Sequence, residues 1–201
     1  MKVKNSQRGF TLIEILLVIA VSGMVAGGIV TTIFQTFSIT RWSTTQITAL
    51  ENIKSAAYRV SQDVRMAKTT RYWNGTSYVD LTSTPVNNLA LDWTSWLDTG
   101  GTVNDIYYRC KYVLSGTKIQ RSYGVYDPGT TTPTPPIPDA SFTGLATVRT
   151  VSQYITAIQF SSIPAPTQGK FIIMTITSSP EGKVETQEKM TYRMYLQPKE
   201  D

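Results

Sequence analysis

The chain has 201 residues with one cysteine and no histidine; it is 41% hydrophobic, only 16% charged, and carries a net charge of +5. That is room for one domain plus an anchor, too apolar for a disordered tail, short of the two thiols an internal disulfide needs, and without the commonest general base and metal ligand. Removing the three leader cations Lys2, Lys4 and Arg8 takes +5 to +2, and no block of five or six like charges follows, so the basic balance is a topology signal rather than a nucleic-acid footprint. The chain opens on Met1-Lys2-Val3-Lys4-Asn5-Ser6-Gln7-Arg8-Gly9, and from Phe10 to Thr40 the only charge is Glu14. This run exceeds the ~20 residues that a helix needs to cross the hydrocarbon core. A lone carboxylate inside such a run is costly in lipid and demands a partner.

Gly9-Phe10-Thr11-Leu12-Ile13-Glu14, followed by Ile15-Leu16-Leu17-Val18-Ile19-Ala20, resembles the N-terminus of type IV pilins and pseudopilins, the class III signal proteins. The resemblance implies cleavage between Gly9 and Phe10 by a membrane prepilin peptidase, which also N-methylates Phe10. It implies that Glu14 serves subunit assembly, its carboxylate meeting the freed α-amino group of a neighbouring Phe10. Partners implied in the same way are other pilin or pseudopilin subunits through the helix, an assembly-platform membrane protein with its ATPase, and membrane lipid before assembly. An exported protein or DNA is a further candidate ligand.

The cations before the apolar run put the N-terminus in the cytoplasm by the positive-inside rule. The chain is then single-pass in the cytoplasmic (inner) membrane with its C-terminal part outside. By the resemblance it passes from there into an extracellular pilus or a periplasmic pseudopilus. Gly23 and Gly27 form a small-xxx-small pair suited to close helix approach, though glycines are also simply frequent in membrane helices. Two departures from many major pilins are visible: no proline before Pro85, and no C-terminal disulfide loop, since Cys110 stands alone and reads as a small buried hydrophobe.

Helical periodicity continues past the bilayer. Ile53, Ala57, Val60, Val64 and Ala67 fall on one face, with Arg59, Asp63 and Arg65 off it. A single helix from about Phe10 to Lys68 is predicted, with a break at Thr40–Thr45 as the alternative. Trp42 beside Arg41 reads as an interfacial anchor.

Beyond Lys68 the period becomes that of strands. Tyr72–Leu81 reads as an exposed turn or short hairpin around Asn74-Gly75, and Leu89–Trp93 as a strand. Ile106–Leu114 and Lys118–Tyr123 pair around Ser115-Gly116-Thr117, with Arg109 and Lys111 on a partly wet face. Asp127–Ser141, rich in Thr and Pro, reads as an exposed loop or extended segment. Strands follow near Tyr154–Ser162, Lys170–Ser178 and Val184–Leu196, the middle one apolar on both faces like a central strand. The predicted class is α+β, a long N-terminal helix packed against a C-terminal antiparallel sheet, the lollipop that the pilin resemblance implies. The predicted organisation is a leader over 1–9, a membrane or filament-core helix over 10–40, the outer helix over 41–68 and a β-rich domain over 69–201.

Three segments resemble the J-type minor pseudopilin and related minor pilins: Val60–Ala67, Tyr112–Arg121 and Ile155–Phe160. The expected role is therefore a minor pilin or pseudopilin that helps initiate or cap a type IV pilus-like or type II secretion filament. The alternatives are a major pilin subunit and a membrane-tethered module binding DNA or a surface polymer. No catalytic constellation, phosphate loop, cofactor site or metal site is legible, so an enzyme is not expected. Asp80, Asp92, Asp98, Asp105, Asp127 and Asp139 read as loop or strand-end acids with turn roles rather than calcium ligands. Trp73, Trp93, Trp96 and the eleven tyrosines read as core or cross-strand partners before they read as stacking platforms.

Overall fold

Residues 10–98, 103–129, 137–164, 170–180 and 187–196 are described by a computed structural model of the protein. The chain forms two compact units, Met1–Thr44 and Thr45–Asp201. One helix, α1 (Leu12–Met66), contributes to both and shows no break at Thr40–Thr45.

In the first unit every described side chain of α1 is exposed, and the helix is long and apolar enough to cross a membrane. Its threonines do not interrupt it, because their hydroxyls turn back on the backbone one turn earlier. Thr31, Thr32, Thr36, Thr40 and Thr44 donate to the carbonyls of Gly27, Gly28, Thr32, Thr36 and Thr40 at 2.8–2.9 Å. Trp42 is exposed near the end of this unit.

In the second unit α1 buries the predicted stripe: Ile53, Ala57, Val60, Val64 and Ala67 are all in the core, joined by Ala49 and Ala56. The four alanines keep the helix surface low, so a sheet can lie close against it. Nine strands are present among the described residues: β1 (Thr69–Trp73), β2 (Tyr78–Asp80), β3 (Asn88–Asp98), β4 (Val103–Ser115), β5 (Lys118–Tyr126), β6 (Val148–Ser152), β7 (Ile155–Pro164), β8 (Lys170–Ser178) and β9 (Glu188–Leu196). The fold is α+β, as predicted.

The strands divide into two antiparallel sheets where one was expected. The larger has the order β2-β1-β3-β4-β5-β6 and the smaller β7-β8-β9. The split falls at Gln153-Tyr154, where Tyr154 takes φ 57° and turns the chain out of the first sheet. Its carbonyl is then held by Ser178 Oγ and Ser179 N, both at 2.9 Å. The β2–β3 connection joins the sheets again: Val86 and Phe160 exchange backbone bonds of 2.8 and 2.7 Å. The hairpin expected around Asn74-Gly75 is β1–β2, and the predicted central strand is β8, between β7 and β9. Strand β6 was not predicted. Of the last predicted strand, residues 184–186 lie outside the described residues.

The inner faces meet α1 through Leu89, Leu91, Tyr112 and Ile119 of the larger sheet and Phe160, Ile172, Met174 and Ile176 of the smaller. The outer face of the larger sheet is partly wet, as expected, at exposed Val113 and half-buried Lys111, but the expectation fails at Arg109, which is buried. Residues 137–147 fold across it as a strap, and Ile137, Phe142 and Leu145 form a small second core with Tyr107 and Tyr126. The expected exposed segment Asp127–Ser141 is thus corrected at its end: Ile137 is buried and Asp139–Ser141 is a 3₁₀ turn. Residues 130–136 lie outside the described residues.

Two contacts seat the strap on β5. Val125 and Thr143 exchange backbone bonds of 3.0 and 2.8 Å. Gly124 lies so close beneath that a Cβ there would stand 2.8 Å from the Cβ atoms of both Phe142 and Leu145. Gly124→Ala is therefore expected to destabilise the second unit by about 1–3 kcal/mol, through overpacking rather than lost contacts. An unchanged denaturation midpoint would contradict this.

Candidate functional site

The predicted site residues sit at the head of α1. Gly9 lies outside the described residues. Phe10 is 85% exposed. Thr11 and Glu14 close a capping box around the first turn. The Thr11 backbone N–H donates to Glu14 Oε2 at 2.9 Å and its hydroxyl to the same oxygen at 3.0 Å, while Glu14 N donates to Thr11 Oγ1 at 3.4 Å. The carboxylate that the sequence singles out thus satisfies helix donors that would otherwise be orphaned. It remains exposed on its other side.

A second carboxylate on the same helix was misread. Asp63, expected off the buried stripe, is 2% exposed. It lies one heptad beyond buried Ala56, and a heptad rotates the helix by only ~20°, so both share one border of the stripe. Arg121 on β5 grips it with both arms of its fork, Nε to Oδ2 at 2.7 Å and Nη2 to Oδ1 at 3.1 Å. Two β4 residues complete the shell. Tyr112 donates a short hydrogen bond from its hydroxyl, and Cys110 Sγ donates at 3.2 Å. Tyr112 and Arg121 are direct cross-strand partners, so strand register delivers both donors to one acceptor.

Burial by itself raises the Asp63 pKa. The hydrogen bonds from Arg121, Tyr112 and Cys110, with the guanidinium charge, outweigh it and hold the carboxyl below the usual range. Burial, with Asp63 beside it, pushes the Cys110 thiol well up, so it stays protonated and is no nucleophile. Its expected role as a small buried residue holds, with donation to Asp63 added.

On the opposite face of β4, Arg109 overturns a second expectation. It was placed on a partly wet face and is 1% exposed. Asp92 takes its Nε at 2.7 Å and Nη2 at 3.1 Å. Nη1 reaches Asp139 Oδ1 at 2.9 Å and the Ile137 carbonyl at 2.8 Å. The rings of Tyr78 and Phe142 each stand 4.6 Å from the guanidinium. Lys111 Nζ lies 2.6 Å from Asp139 Oδ2 and the Tyr78 hydroxyl donates to it at 2.8 Å. Burial would raise the Asp139 pKa, but the bonds from Lys111, Arg109 and Tyr78 bring it below its ordinary value. Asp92 and Asp139 are therefore the anchors of a buried guanidinium, not turn acids. No spacing rule could have paired them, since the strap that carries Asp139 is far along the chain.

Neither network presents an open position. Every carboxylate oxygen of Asp63, Asp92 and Asp139 is turned onto a cation or a hydroxyl, and among the described residues no three of His, Cys, Asp and Glu converge as a metal site. Two of the singled-out tryptophans are cross-strand partners: Trp93 stacks on Tyr108 at 5.7 Å and Trp73 meets Tyr78 at 5.1 Å. The side chains of Trp96 and Asp98 lie outside the described residues.

Residues 4–30 match the family model of the prokaryotic N-terminal methylation motif. No curated protein and no solved structure matches the chain. The matched stretch contains Gly9, Phe10 and Glu14 and runs into the apolar part of α1. The motif is that of class III signal proteins and supports a type IV pilin-like N-terminus over the matched residues.

Proposed function

We propose that the protein is a minor pilin or pseudopilin, a structural subunit that helps initiate or cap a type IV pilus-like or type II secretion filament. The observation that carries the reading is the methylation motif over residues 4–30, with Glu14 as the one charge in the apolar run behind it. Prepilin peptidase cuts after Gly9 and methylates Phe10. The helix over 10–40 then anchors the chain in the cytoplasmic membrane, with the β-rich domain outside. During assembly Glu14 exchanges its Thr11 contacts for the α-amino group of a neighbouring Phe10. Both charges lose water in that environment, so the pairing selects geometry more than it adds strength. The minor assignment rests on the three segments similar to J-type subunits. The domain acts by packing and is not an enzyme.

The test is the intact mass of the chain expressed with and without a prepilin peptidase, followed by the same preparation of Glu14→Ala. Peptidase-dependent loss of Met1–Gly9 with one methyl group on Phe10 is expected. The Glu14→Ala chain is expected to be processed alike and yet to stay out of filaments. A leader retained in both preparations would overturn the reading, and wild-type filament entry by Glu14→Ala would overturn the role of Glu14.

A further inference from the structure

Beside the exposed flank of α1 in the second unit runs a groove of about 280 Å³. Lys54, Tyr58 and Ser61 line it from the helix, and Tyr192, Arg193 and Met194 from β9. Strand β9 ends its sheet, and among the described residues no strand pairs with its other edge. Alternate N–H and C=O groups along that edge therefore face away from β8. The helix follows β9 closely: Gln46 Nε2 donates to Glu188 Oε1 at 3.3 Å at one end, and Ser61 faces Met194 at the other.

The groove carries one sign of charge. Lys54 and Arg193 both line it, and neither has an ion-pair partner among the described residues. Lys189 stands on the same exposed side of β9 as Arg193. The acids nearest on these two elements are placed elsewhere: Asp63 is bound to Arg121, Glu188 holds Gln46, and Glu51 lies a turn before Lys54 without touching it. The remaining lining is apolar or aromatic. Tyr58 is 67% exposed, although it sits on a helix whose opposite side is fully packed.

We propose that this groove docks an extended acidic segment of a partner protein, which adds as a strand to the edge of β9 that no described strand pairs and sets carboxylates against Lys189 and Arg193. Main-chain bonds along the edge supply the affinity, and the alternation of side chains supplies the choice of partner. One set of its side chains lies on Tyr58 and Met194. The other set stands beside Lys189 and Arg193 on the outer side of β9, so an acidic and apolar alternation fits and a basic one is repelled. The proposal goes beyond the filament-subunit reading and does not depend on it.

The experiment uses the full chain in non-ionic detergent micelles. The probe is a synthetic peptide of about ten residues alternating glutamate and valine, a usual strand length. Its control alternates lysine and valine. The acidic peptide is expected to bind and to slow amide exchange along β9. The double variant Lys189→Glu, Arg193→Glu is expected to weaken it by about tenfold or more at an unchanged melting temperature. If that variant melts lower, Lys189→Gln with Arg193→Gln carries the same test. Absence of binding, equal binding of the lysine peptide, or binding indifferent to both double variants would overturn the proposal. So would a short single-stranded oligonucleotide that binds as well while leaving β9 exchange unaltered, since the groove would then be a plain anion surface.

Discussion

Asp63→Ala is expected to destabilise the second unit by about 3–5 kcal/mol, the cost of breaking one side of a buried ion pair. The loss is large because three donors converge on one carboxylate. Arg121, only 13% exposed at its side chain, keeps its charge and loses its partner. The Tyr112 hydroxyl and the Cys110 thiol are left buried without an acceptor. Denaturation of the full chain in micelles would measure this, and a midpoint within experimental error of the wild type would refute it. Replacing the pair together, as Asp63→Leu with Arg121→Met, is expected to recover much of the loss, because no uncompensated charge remains.

The same carboxylate fixes an acid limb. The folded-state pKa of Asp63 lies below the unfolded value of about 3.9. Its contribution is therefore fully present above that value and is lost as pH falls through the folded pKa. The stability gap between the wild type and Asp63→Ala is expected to be constant near neutrality and to narrow below about pH 4. A gap that widened on acidification would reverse the assigned direction.

Arg109→Met is expected to cost a comparable ~3–5 kcal/mol, but at a different place. The substitution leaves Asp92 and Asp139 facing one another without the guanidinium between them. Asp139 is over a third exposed and keeps Lys111, so its share is screened; Asp92, 19% exposed, keeps only Arg71 at 3.7 Å, which places the loss at the low end of that range. Lysine is not expected to rescue the site. One ammonium cannot fork onto Asp92 while also reaching Asp139 and the Ile137 carbonyl, nor lay a planar group over the rings of Tyr78 and Phe142. The signature that separates this variant from Asp63→Ala is local. Amide exchange is expected to accelerate in the strap and at Val125, whose N–H bonds Thr143, before it does so in β7–β9. Uniform acceleration through both sheets would show that Arg109 does not act through the strap.

The two misread side chains share a cause. The helical stripe was legible because Ile53, Val60 and Val64 recur at the helical period, and apolar recurrence is what periodicity detects. Asp63 sits on the border of that stripe, and a period measured on apolar residues assigns a charged one to the solvent. Alternation along β4 likewise separated Cys110 and Tyr112 from Arg109 and Lys111 correctly. It then read the face of the cations as partly wet, which holds at Lys111 and Val113 but not at Arg109. Only the strap, joined by Gly124, Val125 and Asp139, buries that position. Long-range pairings such as Arg109 with Asp139 leave no local trace. The division into two sheets hung on one non-glycine residue, Tyr154, in the left-handed region, where nothing in its type announced it. By contrast, the Gly9–Glu14 motif carries its meaning in adjacent residues and needed no fold to be read.

The threonine ladder of α1 bears on how such a helix changes solvent. Thr31, Thr32, Thr36, Thr40 and Thr44 have each turned their hydroxyl inward onto their own backbone and face outward with a methyl. Extraction from lipid into a bundle of other helices would then leave the bonding of these five hydroxyls unaltered. The transfer exchanges one set of dispersion contacts for another, at little net enthalpy and without a hydrogen-bond barrier. A segment so built is portable between fat and protein as far as its threonines are concerned, and the work of moving it falls on the other polar groups and the charge it carries.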